Sequence, residues 1–263
     1  MLSYRDLLTS FTRLGIPSGK PVIVHASLRS FGQVRGGAET VIGALLNAFS
    51  GVMAPTFTYK TVITPEVGPQ DNGISYGSGE NANRMAQFFR PNMPADPTIG
   101  IIPETLRQHP KAKRSLHPIL SFAGVGVDSA IAAQTLAEPL APIQVLAYAG
   151  GWVLLLGVDH TVNTSLHYAE KLAGRKQFIR WALTLSGIWE CPGFPGCSDG
   201  FEAIMPHVQT ITRQQQVGEA YIQALPLPEM LEIAQMLIEQ DPGALLCNLP
   251  DCQRCNAVQE GAR

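Results

Sequence analysis

Residues 152–170, WVLLLGVDHTVNTSLHYAE, place a strand, a polar loop and a helix in direct succession. Trp152-Val-Leu-Leu-Leu156 is apolar throughout, which is typical of a strand buried on both faces of a sheet. Thr164 is a candidate N-cap for a helix that runs to about Ala173. Because ligand sites of α/β sheets lie beyond the carboxyl ends of such strands, the intervening loop is predicted to border a functional cleft.

His167 is the main candidate for catalysis in this stretch. With Thr164 as the N-cap it is the third helical residue, where the positive end of the helix dipole disfavours the imidazolium form. A neutral histidine can accept a proton from an attacking amine. Glu170 lies three residues on and can orient the ring or attract a cationic substrate. The alternative, from spacing alone, is an ordinary exposed helix pair.

A second strand-to-loop transition lies at residues 21–38. Pro21-Val-Ile-Val-His25 predicts a short buried strand, and a glycine-bearing loop leads from it into a helix over Ala38–Phe49. Successive backbone N–H groups and a helix dipole form an anion site suited to a pyrophosphate, and the alternative is a tight surface turn. The candidate binding residues are His25, Ser27, Leu28, Arg29, Ser30, Val34, Arg35, Gly36 and Gly37.

The wider pattern favours an α/β fold. Gly51-Val-Met-Ala54 predicts a strand that completes a β-loop-α-β unit. Residues 56–100 are rich in glycine, proline and asparagine, and a loop of this length is expected to help wall a substrate cleft. The chain shows no repeat and no linker, so we predict one domain over residues 1–263 with a cysteine-rich C-terminal segment at residues 245–263.

Local signals predict further elements. Ser3 followed by Asp6 is typical of a helix start, and Asp128 is a candidate cap for a helix over residues 129–136. A strand-rich region is predicted from residue 178 onward, and a helix over residues 228–240 closes the fold.

Composition excludes several classes of partner. The net charge is −2 and charged residues make up 15% of the chain, so no broad field attracts nucleic acid or an acidic membrane. The N-terminal residues lack the pattern of a secretory signal, and no uncharged apolar stretch approaches a bilayer span. We therefore expect a cytoplasmic protein, monomeric or homodimeric, that acts on a small molecule.

The five cysteines indicate a reducing compartment, since an odd number does not make a disulfide framework. Cys247, Cys252 and Cys255 form a C-x4-C-x2-C run, so a structural zinc site with one further thiolate is an alternative. We do not favour it and expect no metal. The reason is that Cys191 and Cys197 lack the two-to-four-residue spacer usual in zinc sites.

Three separated parts of the chain resemble the aminoglycoside N3-acetyltransferases, also called the antibiotic N-acetyltransferase family. They are Val24–Gly32 with Gly36-Gly37-Ala38, then Leu106-Arg107 with Ser115–Phe122, and finally Leu154–Gly157 with Asn163–Glu170. The resemblance implies a single α/β domain with a central mixed β-sheet flanked by helices, distinct from the GNAT fold. It also implies acetyl-coenzyme A as donor and direct transfer to an amine of a sugar-like antibiotic, at the 3-amino group of its 2-deoxystreptamine ring.

The resemblance also assigns roles to residues. His167 corresponds to the family's catalytic histidine and Glu170 to the acidic residue beside it. Coenzyme contacts are implied for the loop from Ser27 to Arg35 and for His117, Ser121 and Phe122. Asp199 falls where family members carry an acidic residue that faces the acceptor. Apart from the resemblance, we expect a cluster of Asp71, Glu80, Glu170 and Asp199 to attract a polycationic acceptor. The candidate acceptor-binding residues are Tyr59, Asp71, Glu80, Glu170 and Asp199.

Other interpretations stay open at this point. The sequence differs from the resistance enzymes at residues 71–77, at residues 191–197 and in the C-terminal cysteines. One alternative is therefore that the acceptor is an amine other than an aminoglycoside. A second alternative is an acyl-enzyme route, with Cys191 or Cys197 as the nucleophile near His167. A third is a zinc-stabilised protein that binds coenzyme A without turnover.

Overall fold

The computed structural model describes residues 1–261; residues 262 and 263, at the end of the predicted C-terminal segment, lie outside the described residues. The α-helices are α1 (Tyr4–Arg13), α2 (Gly37–Ala48), α3 (Glu80–Met85), α4 (Ile101–Gln108), α5 (Asp128–Ala133), α6 (Ala141–Tyr148), α7 (Ser165–Leu172), α8 (Met205–Val208), α9 (Leu227–Gln240) and α10 (Gln253–Gly261). The strands are β1 (Val22–Ala26), β2 (Val52–Pro55), β3 (Val62–Ile63), β4 (Lys113–Arg114), β5 (Phe122–Val125), β6 (Trp152–Leu156), β7 (Phe178–Thr184), β8 (Gly187–Phe194), β9 (Arg213–Val217) and β10 (Ala220–Pro226).

The main sheet has the strand order β4-β5-β2-β1-β6-β10-β9. Its centre is parallel: Val22 of β1 pairs with Val52 of β2 on one side and with Trp152 of β6 on the other. The outer strands β5, β4, β10 and β9 are antiparallel to their neighbours. The structure thus confirms the mixed α/β sheet, with the apolar strand predicted at residues 152–156 near its middle.

Helices cover both faces of this sheet, which explains why β6 is apolar at every position. Val153 and Leu155 pack into a core with α6, α7 and α9, whereas Leu154 and Leu156 pack into a core with α1, α2 and α4. All four side chains are fully buried. Burial of a side chain of this size stabilises the fold by about 1.5–3 kcal/mol relative to exposure.

A second, antiparallel sheet has the order β3-β7-β8. Phe178 and Ala182 of β7 and Phe194 of β8 belong to the same buried cluster as Ile23 of the main sheet. The second sheet therefore packs on the core of the first, and it delivers the loop after β8 to the edge of the main sheet.

The helix ends agree only partly with the sequence signals. Ser3 and Asp6 form the predicted capping box at α1. Asp128, predicted as a cap, is instead the first residue of α5, where Val127 occupies the N-cap position without a side-chain hydrogen bond. The sequence pattern did not indicate α6 or α10. Among the described residues, no helix has the length and apolar character needed to cross a membrane.

Candidate active site

A cleft of about 780 Å³ lies at the carboxyl edge of the three parallel strands. Ser27 follows β1, Phe57 follows β2 and Val158 follows β6, and all three line the cleft. This is the edge where ligands bind in open α/β sheets, and the volume is typical of a small-molecule site. The position agrees with the cleft predicted from residues 152–170.

His167 lines this cleft and is held from behind by two buried charged groups. Its Nδ1 lies 2.6 Å from Oε2 of Glu170, and Nη1 of Arg175 donates to Oε1 of Glu170 over 2.8 Å. The side chains of Glu170 and Arg175 are only 1% and 3% exposed. The alternative of an exposed helix pair is therefore wrong. Because Nδ1 is occupied, Nε2 is the ring nitrogen left for a ligand.

The position of His167 is fixed by its helix and by an aromatic neighbour. It is the third residue of α7, as predicted, and its backbone N–H donates to the carbonyl of Thr164 over 3.1 Å. The side chain of Thr164 makes no capping hydrogen bond. The ring of Phe201 packs against the imidazole with 4.7 Å between centroids, which limits rotation of the imidazole.

Two further histidines lie near His167 and are neutral at pH 7. Burial, together with a smaller effect of the nearby His160 and His167, lowers the pKa of His25 to about 3. Burial lowers the pKa of His160 to about 4. Among the described residues, the Nε2 atoms of His25 and His160 have no hydrogen-bond partner. His25 also lines the cleft, so it presents an uncharged imidazole there.

The predicted coenzyme loop reaches the cleft with its first part. His25, Ser27, Leu28 and Arg29 line the cleft. The remaining candidates lie outside the lining and have local roles. Ser30 Oγ donates a hydrogen bond to the carbonyl of Gly157. Val34 forms an isolated β-bridge with Leu2, and the N–H of Arg35 donates to the carbonyl of Leu2. Gly36 and Gly37 form the N-terminal boundary of α2.

The second predicted coenzyme segment supports the cleft wall from inside. Nδ1 of His117 accepts hydrogen bonds from the N–H groups of Ile119 and Leu120, and Leu120 lines the cleft. Ser121 donates to the carbonyl of Thr56 over 2.8 Å, and Phe122 is a fully buried core residue. These three candidates lie outside the lining, and their contact with a coenzyme stays a prediction.

The predicted acidic cluster is not formed. Asp71 borders a smaller, separate pocket, and Glu80 pairs with Arg84 on the exposed face of α3. Glu170 faces Arg175, and Asp199 is an exposed neighbour of the cleft-lining Ser198. Counting charges along a sequence overlooks such local partners and separate surfaces. Of the acceptor candidates, Tyr59 lies in the cleft wall.

Two contributions to the cleft wall were not indicated by the sequence: the N-terminus of α4 and Arg254 of α10. Thr98 and Gly100 line the cleft just before α4, so the N-terminus of that helix borders the site. A signal was present in Asp96-Pro97, since Oδ1 of Asp96 accepts a hydrogen bond from the N–H of Thr98. Arg254 of α10 also lines the cleft, and nothing in its local sequence indicates this. The loop of residues 56–100 does help to wall the cleft, as expected.

Cys191 lies apart from the other four cysteines, which are close together. Cys191 is fully buried, lies outside the cleft lining, and burial raises the pKa of its thiol to about 12. Burial likewise raises the pKa of Cys197 to about 12. Neutral, buried thiols are poor nucleophiles, which counts against the acyl-enzyme route. The sulfur atoms of Cys197, Cys247, Cys252 and Cys255 lie within 4.8 Å of one another.

Comparisons with known proteins agree with this architecture. A family model described as aminoglycoside 3-N-acetyltransferase matches residues 23–239. Aminoglycoside N(3)-acetyltransferase III of a Salmonella species is 31% identical over 78% of this chain and 79% of its own length. Aminoglycoside N(3)-acetyltransferase VII of Streptomyces paromomycinus is 35% identical over 66% of this chain and 62% of its own length.

Solved structures show the same fold. The apoenzyme of aminoglycoside acetyltransferase AAC(3)-IVa has a TM-score of 0.78 and 24% identity, covering 98% of this chain and 97% of that one. The YokD protein of Bacillus subtilis has a TM-score of 0.78 and 24% identity, covering 91% of this chain and 94% of that one. The fold inferred from the sequence resemblance is thereby confirmed.

Proposed function

Because the chain belongs to the aminoglycoside 3-N-acetyltransferase family, we propose that it transfers an acetyl group from acetyl-coenzyme A to an amine of an aminoglycoside. It is an acyltransferase by family. One structurally similar protein was solved in a binary complex with CoASH, and another as a mutant in complex with a gentamicin. The acceptor position we propose is the 3-amino group of the 2-deoxystreptamine ring.

The main support for this proposal is the series of contacts that links Arg175 through Glu170 to His167. It holds the imidazole by Nδ1 at the cleft wall, with Nε2 as its free basic atom. A general base in this position removes the proton of an attacking amine, which accelerates such reactions by about 10²–10⁴. Alignment of the two substrates in one cleft supplies much of the remaining acceleration.

The proposed reaction is direct transfer within a ternary complex. The amine nitrogen attacks the thioester carbonyl, and Nε2 of His167 accepts the amine proton as the new C–N bond forms. The tetrahedral intermediate then collapses, the C–S bond breaks, and the proton passes from the imidazolium to the departing thiolate. The products are the N-acetylated acceptor and coenzyme A.

Glu170 and Arg175 are positioning residues in this scheme. Glu170 fixes the tautomer with the proton on Nδ1 and stabilises the imidazolium that forms during the reaction. Arg175 balances the buried carboxylate, and its Nη2 donates to the carbonyls of Pro242 and Ala244. The Glu170–Arg175 ion pair carries no net charge. A proton that His167 gains during the reaction therefore lies next to a carboxylate that is already in place.

We assign the donor to the part of the cleft formed by Ser27, Arg29 and the N-terminus of α4. The guanidinium of Arg29 and the free N–H groups at a helix start are suited to phosphate oxygens. Gly100 supports this assignment, since its φ of 96° is unfavourable for a side chain and leaves the backbone open to a ligand. Acetyl-coenzyme A enters here as a co-substrate.

A less cationic amine is the second candidate acceptor. The fully charged side chains that line the cleft are Arg29 and Arg254, while Asp71 and Glu80 lie elsewhere among the described residues. An aminoglycoside carries several ammonium groups, whereas a neutral amine or one bearing a carboxylate is better matched to these arginines. Asp199 is exposed and directly follows the cleft-lining Ser198.

We further propose that the chain forms one domain, since both sheets share a buried cluster. The cytoplasmic location and a monomeric or homodimeric state stay predictions from the sequence.

The test is release of coenzyme A thiol from acetyl-coenzyme A across a panel of aminoglycosides, neutral amines and amino acids. Turnover with a 2-deoxystreptamine aminoglycoside, and a product acetylated at the 3-amino group by NMR, supports the main proposal. Turnover confined to neutral or carboxylate-bearing amines replaces it with the second candidate. Absence of turnover with every amine, despite coenzyme A binding, supports instead the alternative of a protein that binds coenzyme A without turnover.

A further inference from the structure

Four cysteines from three separate parts of the chain meet at one point. Cys197 lies in the loop after β8, Cys247 follows α9, and Cys252 and Cys255 flank the start of α10. Their sulfur atoms all lie within 4.8 Å of one another, and the Sγ atoms of Cys247 and Cys255 are 3.4 Å apart. Cys197, Cys247 and Cys255 are buried, and Cys252 is half-buried.

This geometry matches the requirements of a single tetrahedral ion. Zinc binds thiolate sulfur at about 2.3 Å, which places the four sulfurs of a tetrahedron about 3.8 Å apart. Sulfur atoms this close leave room for one ion and not for a cluster that carries its own sulfide. Four protein ligands and little exposure are the features of a structural site without an open position.

The fold also explains why the spacing of the cysteines was misleading. Cys191 and Cys197 are separated by five residues, which disfavours them as a pair of ligands. In the structure they are not a pair: Cys191 lies in β8, away from the cluster, and Cys197 alone joins the other three. The fourth ligand thus comes from about fifty residues earlier in the chain.

We propose that Cys197, Cys247, Cys252 and Cys255 bind one structural Zn²⁺, which fastens the C-terminal helix α10 to the loop at residues 195–200. Zn²⁺ replaces the four thiol protons, which pass to solvent, and the resulting site carries a net charge of −2. Arg254 lies between two of the ligands in sequence, and its positive charge offsets part of this negative charge.

The site has a structural consequence for the cleft. Nη1 of Arg254 donates to the carbonyl of Gly196 over 2.7 Å, and both residues line the cleft. A side chain at Gly200 would collide with the backbone of Leu246 and Cys247, so these segments are in direct contact. A Cβ at Gly196 would lie 3.6 Å from Oε1 of Glu170. The ion would therefore hold the wall that lies beside the His167–Glu170 pair.

The metal content of the full chain tests the proposal independently of any turnover. We expect one zinc per chain by inductively coupled plasma mass spectrometry after purification under reducing conditions. Cys252→Ser removes a half-buried ligand and should lower zinc affinity at least about tenfold. Loss of a residue that only hydrogen-bonds to a metal ligand already lowers affinity by about that factor. Cys191→Ser is the matched control, a buried cysteine outside the cluster, and should retain the zinc.

A second measurement covers the case in which Cys252→Ser fails to fold. Wild-type protein stripped of metal is titrated with Co²⁺, which should give the intense visible bands of a tetrahedral thiolate site and lose them when Zn²⁺ is added. Zinc at well under one equivalent together with no cobalt spectrum overturns the proposal. Iron in place of zinc, or a Cys247–Cys255 disulfide in peptide mass spectra of the purified protein, also overturns it. Loss of zinc from Cys191→Ser, with retention in Cys252→Ser, does so as well.

Discussion

The catalytic region and the acceptor-side wall are built in different ways. In the catalytic region, β6, its loop and α7 follow one another in sequence, and Glu170 and Arg175 lie within eight residues of His167. The name acceptor-side wall is used for residues 195–200 with residues 245–261, which we propose to face the acceptor, and these segments are far apart in sequence. The imidazole of His167 is therefore fixed by local structure and the core, whereas the wall that we propose to face the acceptor depends on long-range contacts.

The largest expected effect on stability comes from breaking the buried Glu170–Arg175 ion pair, compared with breaking an exposed pair elsewhere. Arg175→Met leaves the carboxylate of Glu170 buried and unpaired, so the free energy of unfolding should fall by about 3–5 kcal/mol. Arg84→Met breaks the exposed Glu80–Arg84 pair and should change it by less than about 1 kcal/mol. Urea unfolding of both variants measures the difference. Equal, small effects would show that the buried pair does not support the catalytic region.

Acid should destabilise the protein through three buried histidines, His25, His117 and His160. Burial holds the pKa of His117 and His160 at about 4 and that of His25 at about 3, below the value near 6.5 of an unfolded chain. The unfolded state therefore binds more protons as the pH falls. The stability due to the neutral histidines is complete above pH 6.5 and is lost as the pH drops toward 4.

Each such histidine contributes a slope of about 1.4 kcal/mol per pH unit in this window. His117→Gln should reduce the measured slope by about that amount, because the titrating group is removed. His207→Gln replaces an exposed histidine and serves as the control. Urea unfolding between pH 4.5 and 8 gives the slopes. An unchanged slope in His117→Gln would mean that His117 is already protonated in the folded protein.

The strand, loop and helix that carry His167 were predictable from sequence because they follow one another in the chain. The apolar strand, the polar loop and the position of His167 in the first turn of a helix follow from residues 152–170 alone. Arg175 was not found, because it lies beyond the end of α7 and reaches Glu170 only through the turn at Gly174. The pairing of His167 with Glu170 followed from spacing, but its burial did not.

The acceptor-side wall was not predictable for the opposite reason. Cys197 meets Cys247 only because β8 and α9 pack on a common core, and no local pattern encodes that path. Arg254 reaches the cleft for the same reason. Asp71 and Glu80 were grouped with Glu170 by charge alone, whereas the fold places them on separate surfaces.

The smallest expected effect concerns the exposed carboxylate of the acceptor-side wall. Asp199→Asn should raise the KM of a cationic acceptor by no more than about fivefold and leave the KM of acetyl-coenzyme A unchanged, since exposed charge pairs contribute about 0–1 kcal/mol. The effect should shrink as salt rises. Glu80→Gln is the control and should change neither constant. A large fall in kcat for Asp199→Asn would instead place this carboxylate in the catalytic region.

We propose that His167 is the general base of the transfer. Steady-state kinetics of His167→Ala, with an amine that the wild type acetylates, test it most directly, with the exposed His207→Ala as the matched control. We predict that kcat falls about 10²–10⁴-fold, while the dissociation constant of coenzyme A from calorimetry and the activity of the control change less than about twofold. Turnover of His167→Ala within a few-fold of wild type would contradict the claim.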